Sequence, residues 1–406
     1  MIGRRPPPCH GLRTVAVLCM LAGCPAQAES LAERLEPLVG RTLDVIELRT
    51  GKRFVRPTLE RVVVREGKAD SLRIRAEGET RVMSLRIAGI ARIVADREAI
   101  HAVEPQAAGA RLSRARARQA DAERKSRERM RERGVAAWPV LGADEHAAEV
   151  AALEAFAARV TEVFPDLRTT QTHEFIVVTD VPEQQIAAST AALDGMHDVL
   201  CDLYGIPRGE PVWKGKCLVF AFLDEEDFIA FERRFMGTVI RGPNGLCHQQ
   251  DDGRVVMACH RGDDPATFAH LLVHETSHGF NHRWVSPVKL PNWLNEGIAE
   301  WVGSKLVASC NQVPLKEAQA LAFMRRRGTL GADFFTAANI DPIQYGIASG
   351  MVRFLADRDL KRFGALVRAI KEGVPADEAL RDAFGVTTVE LAAAYGQALG
   401  IPGLKP

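Results

Sequence analysis

The chain has 406 residues, 47% of them hydrophobic and 26% charged, which excludes a disordered or collagen-like polymer and points to two or three globular domains. Its 53 basic and 52 acidic residues exclude a protein that holds nucleic acid through bulk charge, so no nucleic-acid partner is expected. No apolar run approaches the roughly 20 residues of a membrane-spanning helix.

The N-terminus reads as an export signal. Arg4, Arg5 and Arg13 precede a short apolar core, Thr14 to Leu21. Two cleavage patterns follow. Leu21-Ala22-Gly23-Cys24 is a bacterial lipobox, which would make residues 1–23 a lipoprotein signal and Cys24 a lipidated first residue. Ala26-Gln27-Ala28 suits ordinary signal peptidase and would make residues 1–28 the signal. The expected location is the periplasm or cell envelope, lipid-anchored in the first case and freely secreted in the second. Disulfides persist in such a compartment. Cys247 and Cys259 flank the turn signal Asp251-Asp252-Gly253, and a three-residue loop centred on Gly253 would set them opposite each other. Cys201 and Cys217 are a second candidate pair. Buried free thiols are the alternative for both.

Residues 29–98 are expected to form a small all-β domain. Short alternating runs such as Thr42–Leu48, Ser71–Arg75 and Arg81–Leu85 are punctuated by Gly51, Gly67 and Gly78, which suggests a small antiparallel barrel or sheet. Residues 99–140 read as a charged helical linker. Within them, residues 111–134 hold ten basic and four acidic side chains and almost no large apolar ones. A solvated helix and a surface for anionic lipid or nucleic acid are both compatible with that composition. No aromatic residue interleaves with the arginines, so bases would have no stacking platform.

From 141 to 406 the pattern mixes helix and strand. Ala147–Val163, Pro182–Tyr204 and Glu225–Phe235 read as helices, Glu174–Thr179 and Lys216–Phe222 as buried strands, and 244–260 as a hairpin. Beyond residue 313 apolar residues recur at helical spacing. The expected fold class is α+β.

Residues 265–303 carry the chemistry. Asp264-Pro265 is a helix start. The helix then holds His274-Glu275-Thr276-Ser277-His278, with the two histidines one turn apart on the same face. Two imidazoles so placed can meet at one Zn²⁺, and Glu275 between them can serve as general base. His270 and His282 continue the stripe and are read as packing or surface residues. The longer pattern that ends in a third histidine fails, because that position is Trp284.

Residues 290–301 read Leu-Pro-Asn-Trp-Leu-Asn-Glu-Gly-Ile-Ala-Glu-Trp. With this stretch the sequence resembles the gluzincin zinc metallopeptidases, especially the peptidase MA-like group. The resemblance spans roughly residues 170–400 and is specific in 274–301. It implies a zincin-like domain with a mixed sheet, an active-site helix and a helical C-terminal part. It implies that Glu296 is the third zinc ligand and that Glu300, one turn on, holds a ligand histidine from behind. A surface carboxylate is the alternative for Glu300. The strand before the metal helix, Arg254–Cys259, would form the cleft edge on which a peptide pairs. Tyr345, which opens a later helix, matches a place where that group often has a tyrosine. Its phenol would stabilise the oxyanion, with a core or capping role as the alternative.

The resulting expectation is an exported zinc-dependent peptidase acting on a peptide or protein substrate. A zinc hydrolase of another amide or ester is the nearest alternative. An anchored binding protein with a non-catalytic zinc domain is the alternative from another class, and the intact Glu275 argues against it, since a scaffold needs ligands but no base.

Overall fold

The computed structural model describes residues 31–48, 53–65, 68–95, 98–100, 121, 123–206, 210–240, 242 and 244–406. The export signal, Cys24 included, and the first half of the basic segment lie outside them. The chain divides into two compact units, Met1–Arg116 and Ala117–Pro406.

In the first unit a short helix, α1 (Leu31–Leu35), accompanies two antiparallel sheets. One contains β1 (Val45–Leu48), β2 (Arg53–Val55), β6 (Ile90–Ala95) and β7 (Glu98–Ile100) in the order β2-β1-β6-β7. The other is the meander β3 (Thr58–Arg65), β4 (Lys68–Arg75) and β5 (Val82–Arg86). The period-two pattern is visible in β4, where Leu72 and Ile74 are buried and Arg73 and Arg75 are exposed. The described residues make two sheets that share a core of Ile46, Leu59, Leu72, Ile74 and Ile93.

The second unit is a mixed α+β domain. Its helix over 123–132, α2, comes from the basic segment. It is more than a solvated linker. Met130 is fully buried, and Ser126 and Arg129 both donate to the buried Glu372 carboxylate, at 2.5 Å and 2.7 Å. The sheet has five strands: β8 (Arg168–Gln171), β9 (Phe175–Thr179), β10 (Cys217–Phe222), β11 (Gly245–Gln249) and β12 (Val255–His260). Their order is β11-β12-β10-β9-β8, with β9, β10 and β12 mutually parallel and the outer two antiparallel.

The three parallel strands are buried at every position, and apolar up to the terminal Thr179 and His260, because both faces are covered. Phe175, Val177, Val219 and Met257 face one core, with α4 (Glu183–Tyr204) and the C-terminal helices. Ile176, Val178, Phe220 and Val256 face the other, with α3 (Ala143–Thr161) and α5 (Glu225–Phe231). Strand β8 carries Arg-Thr-Thr-Gln, largely exposed, so it gave no apolar signal. The helical remainder comprises α6 (Pro265–Arg283), α7 (Asn292–Leu306), α8 (Gln312–Arg327), α9 (Pro342–Arg358), α10 (Leu360–Lys371), α11 (Ala376–Phe384) and α12 (Thr388–Ala398). Among the described residues no helix is long and apolar enough to cross a membrane.

The expected hairpin is present but its register corrects the cysteine pairing. Gln250 N–H bonds the Arg254 carbonyl, so Asp252 is the centre of the loop and Gly253 takes the last, left-handed position at φ +88. Cys247 therefore lies opposite Met257, and Cys259 opposite Gly245. Cys217, Cys247 and Cys259 are free thiols, as is Cys310, so neither candidate pair is joined.

Candidate metal centre

Helix α6 starts as its sequence dictates. The Asp264 carboxylate accepts from the Ala266 and Thr267 amides, and Pro265 fills the first turn. After a loop over 284–291, α7 returns beside it. Two glycines set how closely α7 approaches its neighbours. A Cβ at Gly303 would run into the His270 ring, and one at Gly297 would sit 2.6 Å from the Ala348 carbonyl oxygen of α9.

The packing brings three predicted side chains to one point. His274 Nε2 and His278 Nε2 are 3.2 Å apart. Glu296 Oε2 is 3.3 Å from the first and 3.4 Å from the second. Ligand bonds of about 2.0–2.1 Å in a tetrahedron give edges of about 3.3–3.4 Å, so the three atoms fit the face of a tetrahedral zinc site. The charges also fit a cation. Burial pushes the Glu296 carboxyl up, but the two imidazoles outweigh it and hold it well below the usual carboxylate range. Burial likewise pushes His278 down, yet Glu296 and Glu275 lift it to about 9. The facing imidazole nitrogens and the carboxylate thus concentrate demand for positive charge at their centre.

A second carboxylate stands behind the first. Glu300 is 1% exposed, with Oε1 at 2.5 Å from Lys316 Nζ and 3.6 Å from His274 Nδ1. Its Oε2 is 3.6 Å from His270 Nε2. Burial raises its carboxyl, but His270, His274 and Lys316 outweigh that and bring it down to about 2. His270, His274 and Glu300 also form a group able to hold a metal. Because one ring, His274, offers Nε2 to Glu296 and Nδ1 to Glu300, the second group reads as the support of the first. The surface alternative for Glu300 is excluded by its burial, and His270 is buried against it rather than on the surface.

Glu275 is partly buried between the two histidines in sequence. Its charge acts on His278, on the Tyr345 hydroxyl and on the Cys247 and Cys259 thiols, so it faces the site and the β11–β12 side. Tyr345 lies in the first turn of α9, half-buried, with Lys316 Nζ 5.4 Å from its ring centre. Burial, then Glu296, Glu300 and Glu275 push its hydroxyl up to about 12. A neutral donor therefore stands within the field of all three carboxylates.

Three contributors had no sequence signal. Lys316 arrives on α8, and nothing in its neighbours marks it. Asn295 helps to raise the proton affinity of His278 and accepts a hydrogen bond from Asn281, whose own oxygen accepts from Tyr204 at 2.6 Å. The expected cleft edge is corrected too. Strand β12 lies between β11 and β10, so the free edge beside α6 belongs to β11.

No protein-family model and no curated relative matches the chain. Among solved structures it is similar to the crystal structure of M1 zinc metallopeptidase from Deinococcus radiodurans, with a TM-score of 0.32 and 15% identity. That likeness covers 59% of this chain and 52% of the other, so the chain spans about half the length of that structure.

Proposed function

We propose that the chain is a zinc-dependent peptidase in which His274, His278 and Glu296 hold Zn²⁺ and Glu275 is the general base. The observation that supports this is the convergence of two imidazole nitrogens and one carboxylate oxygen at tetrahedral spacing, with a further carboxylate on the same helix. Three protein ligands leave a fourth position open, which is the catalytic arrangement.

When bound, zinc supplies Lewis acidity that brings the ionisation of water toward neutral pH. The chain's own residues do the rest. Glu275 takes the proton of the attacking water and returns it to the leaving amine. Tyr345 donates its hydroxyl hydrogen to the carbonyl oxygen as negative charge builds there. Glu300, held by Lys316 and His270, keeps the His274 ring in orientation. Edge strand β11 offers unpaired backbone groups along which an extended peptide can lie. We further propose export to the periplasm or cell envelope, with anchoring through Cys24 if the lipobox is used.

The test combines metal analysis with activity. His278→Ala should lose most of its zinc. Glu275→Gln should keep the metal and lose about 10²–10⁴-fold in hydrolysis of a peptide library. Full zinc in the first variant, or near-parental activity in the second, would sink the reading.

A further inference from the structure

Beside the metal centre lies a cavity of about 550 Å³ that shares His278 and Asn295 with it. Gln249, the last residue of edge strand β11, lines the same space. No aspartate or glutamate lines it, whereas Lys289 and Lys371 both do. Lys289 is exposed at the rim, and Lys371 is 1% exposed.

Lys371 is the last residue of α10. Its ammonium donates to the carbonyls of Val288 at 2.7 Å and His282 at 3.3 Å. An ammonium has three hydrogens, so one donor remains. Among the described residues no carboxylate lies within ion-pair distance of it. A buried cation without a counter-charge is costly, and burial pushes this amine down to about 7. The neighbouring cations, Arg283 and Lys289, add to the same sign, and the His282 ring on the same wall lies 3.4 Å from the Gln250 carbonyl oxygen. The Lys371 end of the cavity is thus short of negative charge, while Glu296 and Glu275 lie at its His278 end.

We propose that this cavity is a substrate subsite for a carboxylate, with Lys371 as its specificity-determining residue. The proposal rests on the peptidase reading and names the class of peptide cleaved. The His282 carbonyl that Lys371 holds is one helical turn past His278, about 6 Å along the axis. An extended peptide covers that distance in about two residues. The negative charge recognised therefore lies within about two residues of the bond cut. It is either an Asp or Glu side chain or the substrate's own C-terminal carboxylate.

The experiment digests a mixed peptide library with the zinc-loaded full chain, each peptide supplied both as free acid and as C-terminal amide. Cut sites are scored for Asp or Glu against Asn or Gln nearby. Acid-bearing peptides should be preferred about tenfold or more in kcat/KM, the scale of one charge-assisted hydrogen bond. In Lys371→Met that ratio should fall to near unity. A preference confined to free acids assigns the C-terminus, and one confined to Asp and Glu assigns the side chain. Equal cleavage of charged and neutral peptides by the parent overturns the subsite, whether or not the variant folds. The same peptides are titrated into Glu275→Gln by calorimetry. Charge-selective binding without any cleavage by the parent overturns the peptidase reading and keeps the subsite. Cleavage without charge selectivity does the reverse.

Discussion

Tyr345 tests how much of the chemistry depends on a single hydroxyl. Its ring is held by α9 and by Lys316, so removing the oxygen leaves the packing in place. Loss of one donor to a developing oxyanion costs about 2.7–4 kcal/mol, or about 10²–10³ in kcat. Tyr345→Phe is therefore expected to lower kcat by that factor, with KM, zinc content and melting temperature nearly unchanged. A variant that melts earlier but turns over normally when folded would make the tyrosine a structural residue. The His-Glu-x-x-His residues were legible because all their information is local: one helix, one turn, one face. Lys316 and Asn295 were not, since their roles depend on which helices meet.

Gly297 belongs to the scale of packed elements. It lets α7 lie against α9, and the residue before it is the proposed ligand Glu296. A methyl group there meets the Ala348 carbonyl oxygen at 2.6 Å, which backbone cannot yield cheaply. Such overpacking costs about 1–3 kcal/mol. Gly297→Ala is expected to lower the melting temperature by several degrees and to weaken zinc binding in a chelator competition. An unchanged affinity would mean that α7 shifts without moving Glu296. Legibility at this scale followed the strength of each element's own pattern. The apolar runs of β9, β10 and β12 and the capped start of α6 stood out within a few residues of their observed limits. The polar β8 did not, because an edge strand needs no apolar side chain to pair. In the hairpin the positive φ of Gly253 belongs to the loop's last residue and not to its centre, which puts Cys247 opposite Met257. The same register takes the two cysteines out of alignment, while the edge lies on β11 because β12 also pairs with β10.

For the molecule as a whole, the carboxylates of the site set an acid limit. Glu300 is held at about 2 in the fold, against 4.5 as its ordinary value. Below that ordinary value the unfolded chain takes up a proton that the fold refuses. The stabilisation is thus complete above pH 4.5 and is lost as pH falls toward about 2. For Glu300 it amounts to about 3 kcal/mol. The metal-free protein should show a urea midpoint that falls through this range, and Glu300→Gln should flatten the fall. An identical slope in the variant would contradict the assignment. Export is tested at the same scale: if Cys24 carries lipid, Cys24→Ser should move the protein from the membrane fraction to the soluble one. A parent already soluble and beginning at Glu29 would show that the ordinary signal peptidase site is used. One further consequence comes from where the metal-facing residues sit along the chain. His274, Glu275, His278 and Glu296 all fall on two consecutive helices joined by a short loop. Contacts between neighbouring segments form early in folding, whereas parallel strands must wait for distant segments to meet. The sheet needs β9, β10 and β12 to find one another across long crossovers. A newly made chain would therefore be able to assemble these four residues while the sheet is still open, so that the proposed zinc would accompany folding instead of arriving after it.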